Sequence, residues 1–231
     1  VKKVLPICAV PAFLVAASPV FAQNPSPPTP LRPEVSISVH DYAGVSAPLL
    51  TAAEGQAREI FRRAGLETVW LNCSPKLEKH EPESCYFADA THLTLKISPR
   101  AMNAQVRGRI DVLGTSYPDE QGAGYFAYVF YDRVRELAQR RTLGHALLAD
   151  VMAHEIGHLL LGSNSHSLSG IMCAHWEAEQ LRNVAEGVMS FAPAESRLMR
   201  ERLLARQSAQ AKLAPGAPQQ ETLTAVSAAP R

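Results

Sequence analysis

The chain has 231 residues, 46% hydrophobic and 19% charged, with a formal net charge of +1. That composition suits one globular domain with a sizeable core. No basic run is longer than Arg140-Arg141, which argues against a nucleic-acid surface.

Residues 1–22 read as a signal peptide. Lys2-Lys3 form a basic start, Val4 to Ala17 is mostly apolar, and Val20-Phe21-Ala22 offers small residues for cleavage after Ala22. A membrane anchor is the other reading. The apolar run is short for a span and holds Pro6 and Pro11, so no stable membrane anchor is expected. Export makes the protein secreted or periplasmic, in an oxidising setting. Residues 23–33 are Pro-rich and read as an extended linker.

From residue 34 a folded domain is expected, running to 206. Val35-Ser36-Ile37-Ser38-Val39 alternates as a strand does. Leu49 to Ala64 has apolar residues at helical spacing and ends at Gly65. Thr68 to Leu71 is a second strand, and His92 to Ile97 a third, closed by Pro99. Between them, Cys73 and Cys85 flank a polar stretch and suit a disulfide that clamps it. Cys173 is then left over, as a small buried hydrophobe beside Met172.

Val112 to Tyr117 is a fourth strand. Tyr125 to Tyr131 is almost wholly apolar and aromatic, which suits a strand buried on both faces. Leu143 to Leu161 is a long helix, followed by helical patterns at Glu177 to Val188 and Ala194 to Gln207. Residues 207–231 lack periodicity and read as a disordered tail. Strands followed by helices, after a β-α-β start, indicate an α+β fold, an α/β sandwich. A monomer is expected.

The long helix carries the chemistry. His154 and His158 stand four apart, so their imidazoles share a face and can hold one metal. Glu155 lies off that face but within reach of a water on the metal. Gly162 can end the helix, and His166 follows it as a third nitrogen ligand. Three protein ligands leave a position open for water, whose proton a carboxylate can take. Leu147 and Val151 continue the metal face into the core. His145 lies about half a turn round the helix from His154 and should face away. The competing reading is a helix that happens to carry surface histidines.

His154 to His166, with Gly170-Ile171-Met172, resembles the metzincin metallopeptidases and, within them, the matrixins. Their pattern is H-E-x-x-H-x-x-G-x-x-H with a downstream Met-turn. The resemblance implies a zincin-like twisted mixed sheet with an active-site helix and C-terminal helices. It also implies zinc (Zn2+) on His154, His158 and His166, Glu155 as catalytic base, and Met172 as an apolar floor under the metal. The function it implies is a zinc-dependent metalloendopeptidase, a hydrolase of peptide bonds. A protein or peptide substrate would lie extended along an edge strand, with Leu113 to Tyr117 in that place or else forming an ordinary sheet strand. Ala174, His175 and Trp176 would wall a specificity pocket or simply pack.

The sequence departs from the family pattern at Gly162 and His166, which stand four and eight residues after His158 rather than three and six. Two other readings stay open. One is a gluzincin-type peptidase with Glu177, Glu179 or Glu186 as third ligand. The other is a non-catalytic, metal-stabilised binding module, although a purely structural site needs no base and closes its fourth position.

Overall fold

The computed structural model describes residues 32–73, 85, 89–99, 112–118 and 124–213. The expected signal peptide, most of the linker, His80, Asp119-Glu120 and residues 214–231 lie outside them.

The chain opens with β1 (Glu34–Asp41), α1 (Ala47–Arg63) and β2 (Glu67–Cys73). Strands β3 (His92–Ser98), β4 (Gly114–Pro118) and β5 (Gly124–Phe130) follow. Helices α2 (Tyr131–Arg141), α3 (Gly144–Leu161), α4 (Ala178–Ala185) and α5 (Pro193–Leu213) complete it. This is a mixed α/β fold on one five-stranded sheet of order β2-β1-β3-β5-β4. Strands β1, β2, β3 and β5 pair in parallel, and β4 joins β5 antiparallel at one edge. The expected edge position of the fourth strand is therefore observed.

Alternation decides which face is covered. Val35, Ile37 and Val39 of β1, Leu93, Leu95 and Ile97 of β3, and Ala127 and Val129 of β5 are buried in one cluster. The same cluster takes in Ala53, Ala57, Ile60 and Phe61 of α1 and the apolar side of α3. At roughly 25 cal/mol per Å² of apolar surface removed from water, this burial is the main stabilising term.

The opposite sheet face is polar or part-exposed. Tyr117 and Phe126 stack there with ring centroids 5.0 Å apart, and the Lys96 ammonium lies 5.6 Å from the Phe126 and Tyr128 rings. The reading of β5 as buried on both faces is thus corrected: Tyr125 is 47% and Phe126 38% exposed. The exposure is confined to the start of the strand: Phe130, on the same face as Phe126, is fully buried beneath Arg133.

Three further boundaries differ from the pattern read in the sequence. Helix α2 was not expected at all; only Val134 and Ala138 are buried on it, too narrow a stripe to stand out. Helix α5 continues through Leu213, past the expected boundary at 206. The linker's last residues are already tied to the sheet, through Arg32 Nη1 to Glu67 Oε1 at 3.0 Å and Glu67 N–H to the Pro33 carbonyl at 3.0 Å. Cys73 and Cys85 form the expected disulfide. No helix among the described residues is long and apolar enough to cross a membrane.

Candidate metal centre

Helix α3 is buried along most of its length, and His154 and His158 break that surface on the side facing the cleft. Their rings meet edge to face, with centroids 4.7 Å apart. The helix stops at Gly162 (φ 87°, N–H to the His158 carbonyl), and the chain turns back so that His166 meets the pair. His158 Nε2 lies 3.1 Å from His154 Nε2 and 3.1 Å from His166 Nε2. The longer spacing to His166 has not moved it out of reach.

These distances suit a shared ion. Metal–nitrogen bonds of about 2.0–2.1 Å in a tetrahedron put ligand nitrogens about 3.3 Å apart. Among the described residues this triad is the group of His, Cys, Asp or Glu side chains close enough to share a metal. Glu177, Glu179 and Glu186 do not belong to it, and Glu177 caps α4 in a capping box with Gln180. His145 is exposed on α3, away from the centre.

Electrostatics favour neutral imidazoles. Burial lowers the His154 pKa to about 4, with the neighbouring His166 adding to the effect and the Ile171 carbonyl opposing it. Burial, then His154 and His166, lower the His158 pKa to about 3. Neutral rings are the form that ligates metal. Each has a second partner: His154 Nδ1 donates to the Ile171 carbonyl at 2.7 Å, and His158 Nδ1 lies 2.8 Å from Ser165 Oγ. Outer partners of this kind orient ligating histidines.

Glu155 is buried beside the triad, and its Oε2 has no hydrogen-bond partner among the described residues. Burial raises its pKa to about 8. An orphaned carboxylate oxygen at a cleft with three clustered nitrogens fits a water or ion as its missing partner. The space for it exists because β4 crosses at a glycine. A Cβ on Gly114 would fall 2.5 Å from Glu155 Oε1 and 2.7 Å from its Cγ and Cδ.

Met172 is fully buried, and it packs against α3 at Gly157, where a Cβ would lie 2.6 Å from its Sδ and 2.8 Å from Phe191 Cε1. The turn that carries Met172 is pinned by Ile171 N–H to the Ser190 carbonyl at 3.0 Å.

The cleft around these groups has a volume of about 450 Å³. Val112, Leu113, Leu137, Val151 and Trp176 supply apolar walls, and Thr115 and Ser116 of β4 form its rim. Trp176 stands edge-on to His154 at 5.9 Å and also touches the core, so it both packs and lines. Cys173 is a correction: it is part-exposed in the cleft rather than buried, its thiol donating to the His175 carbonyl at 3.1 Å.

Ser165, Ile171 and Gly114 were not anticipated as contributors. Gly114 had a usable signal, since glycine inside a strand often marks close backbone approach. Ile171 acts through its carbonyl, which no side-chain pattern reveals.

No protein-family model matches the chain, and no curated protein does. Among solved structures, the chain is similar to an archaemetzincin from Methanopyrus kandleri, with TM-score 0.45 and 13% identity over 74% of this chain and 96% of that one. It is also similar to a zinc-dependent peptidase from Methanocorpusculum labreanum, with TM-score 0.45 and 16% identity over 71% of this chain and 98% of that one. At these scores the likeness adds no weight to a functional assignment, which rests on the centre itself.

Proposed function

We propose that the chain is an exported zinc-dependent metalloendopeptidase of metzincin, matrixin-like type. The observation that carries this reading is the convergence of three Nε2 atoms beside a buried Glu155 carboxylate whose Oε2 has no partner among the described residues. A structural site would spend a fourth ligand in place of that open position.

His154, His158 and His166 would hold the ion. Zinc held there would supply a Lewis-acidic position that activates a water, and its charge would draw the Glu155 carboxyl back towards the ionised form. Glu155 takes a proton from the attacking water and returns it to the leaving amine, acting first as base and then as acid. Buried walls around the carboxylate exclude competing solvent. Among the described residues strand β4 has no neighbour on its outer side, and it runs along the cleft rim, so a protein or peptide substrate would lie extended against it, main chain to main chain. The apolar walls suit an uncharged substrate side chain.

Glu155→Ala should keep zinc and lose peptide cleavage by several orders of magnitude. Treating the wild type with a chelator should abolish cleavage, and added zinc should restore it. If the zinc-loaded wild type cleaves nothing across a broad peptide library, the centre is instead that of a non-catalytic binding module. His166→Ala tests the ligand set: full zinc retention in that variant would point to a glutamate ligand and sink the three-histidine assignment.

A further inference from the structure

The second ligand is gripped at both nitrogens by neighbouring residues. Ser165 Oγ lies 2.8 Å from His158 Nδ1, and His166 Nε2 lies 3.1 Å from His158 Nε2. The turn that achieves this passes through Asn164 at φ 60°, a left-handed conformation that asparagine tolerates better than most residues.

His154 is held differently. Its Nδ1 partner is a carbonyl, which can only accept, so the proton stays on Nδ1 and the lone pair on Nε2. A hydroxyl can accept or donate. With zinc bound, all three Nε2 atoms offer lone pairs to the ion, so His158 carries its proton on Nδ1 and Ser165 accepts it. As zinc leaves, lone pairs 3.1 Å apart repel one another. The repulsion is relieved if one ring moves its proton to Nε2 and donates it to a neighbouring imidazole. His154 cannot do so without breaking its bond to Ile171. His158 can, because the Ser165 hydroxyl turns from acceptor to donor, and its Nε2 stands within 3.1 Å of both other Nε2 atoms.

We propose that Ser165 is a positioning residue of the metal centre, whose reversible hydroxyl keeps His158 in register through both loading and release of zinc. The proposal rests on the zinc reading of the triad. It gives the long loop between Gly162 and His166 a purpose: the residue delivered just ahead of the third ligand orients the second.

The test is zinc affinity by chelator competition, with ¹⁵N NMR of the histidine rings in zinc-loaded and zinc-stripped wild type. Ser165→Ala should bind zinc roughly 10–100-fold more weakly, the usual cost of losing an outer partner. Ser165→Thr, which keeps the hydroxyl, should recover most of that loss, and Ser169→Ala, beyond the third ligand, should change nothing. The NMR should show His158 protonated on Nδ1 with zinc and on Nε2 without it. Equal affinity in Ser165→Ala and wild type would overturn the proposal, as would the same His158 tautomer in both forms. A wild type that takes up no zinc would overturn the zinc reading itself, and this proposal with it.

Discussion

Gly114 has no side chain, and Glu155 occupies the space that one would need. Alanine there would meet the movable end of a carboxylate rather than backbone, so the carboxylate would yield and the fold would hold. Gly114→Ala should therefore keep zinc and thermal stability while kcat falls, by roughly 10²-fold if the carboxylate shifts by about 1 Å. Steady-state kinetics beside a zinc assay check this; an unchanged kcat would mean that the carboxylate has slack. At this scale the sequence was most legible where side chains act directly. The spacing made it legible that His154, His158 and His166 would meet, with Glu155 beside them in the cleft. Ile171 and Ser165 did not, because a carbonyl has no residue signature and a serine beside a ligand looks like any other loop serine. Cys173 misled because small apolar character does not reveal that the chain after Met172 lines the cleft.

Helix α5 shows how an element far along the chain supports the centre. Arg206 Nη2 donates to the Leu159 carbonyl at 2.7 Å, and Arg202 Nη1 donates to the Leu161 carbonyl. These are carbonyls of the last turn of α3, which has no further helix to satisfy them, and cations there also suit the helix dipole. Arg206→Ala should cost about 1–3 kcal/mol, read as a lowered urea midpoint, while Arg197→Ala on the exposed side of α5 should cost little. Equal midpoints for the two variants would show that the cap contributes nothing. The Arg- and Leu-rich pattern announced α5 as a helix, but not what its arginines reach, since that depends on how α5 crosses α3. Helices α1 and α3 were legible because their apolar stripes are wide. Helix α2 escaped notice because only Val134 and Ala138 are fully buried on it.

Across the whole molecule, alternation exposed the strands, and sheet order did not follow from it. The arrangement β2-β1-β3-β5-β4 depends on contacts between distant segments, and β5 looked buried on both faces because its apolar run does not tell the exposed Tyr125 and Phe126 from the buried Phe130. Stability of the whole fold should carry a pH signature from Asp150, fully buried in α3 with Gln56 Nε2 at 3.3 Å. Burial raises its pKa from 3.8 to about 7, with Gln56 and Arg63 opposing. The folded state thus holds a proton that the unfolded chain releases. The stability this provides is complete below about pH 4 and is lost as pH rises through 7. Asp150→Asn should accordingly gain stability over wild type at pH 8 and lose that advantage towards pH 4. Comparing the two proteins cancels the opposing titration of His154 and His158. A difference that stays constant with pH would refute the assignment.

The partners of the ligands also lie late in the chain. His154 leans on Ile171, His158 on Ser165, and Gly157 on Met172 and Phe191, whereas the strands end at Phe130 and their cover is completed by α3. A metal on the triad would therefore tie the late segment through Ser165 and Ile171 to a helix that already packs on the sheet, and the sheet is expected to form first. In refolding with a zinc-responsive dye present, the sheet's far-ultraviolet signal should recover ahead of zinc uptake; uptake in step with the sheet would reverse that order.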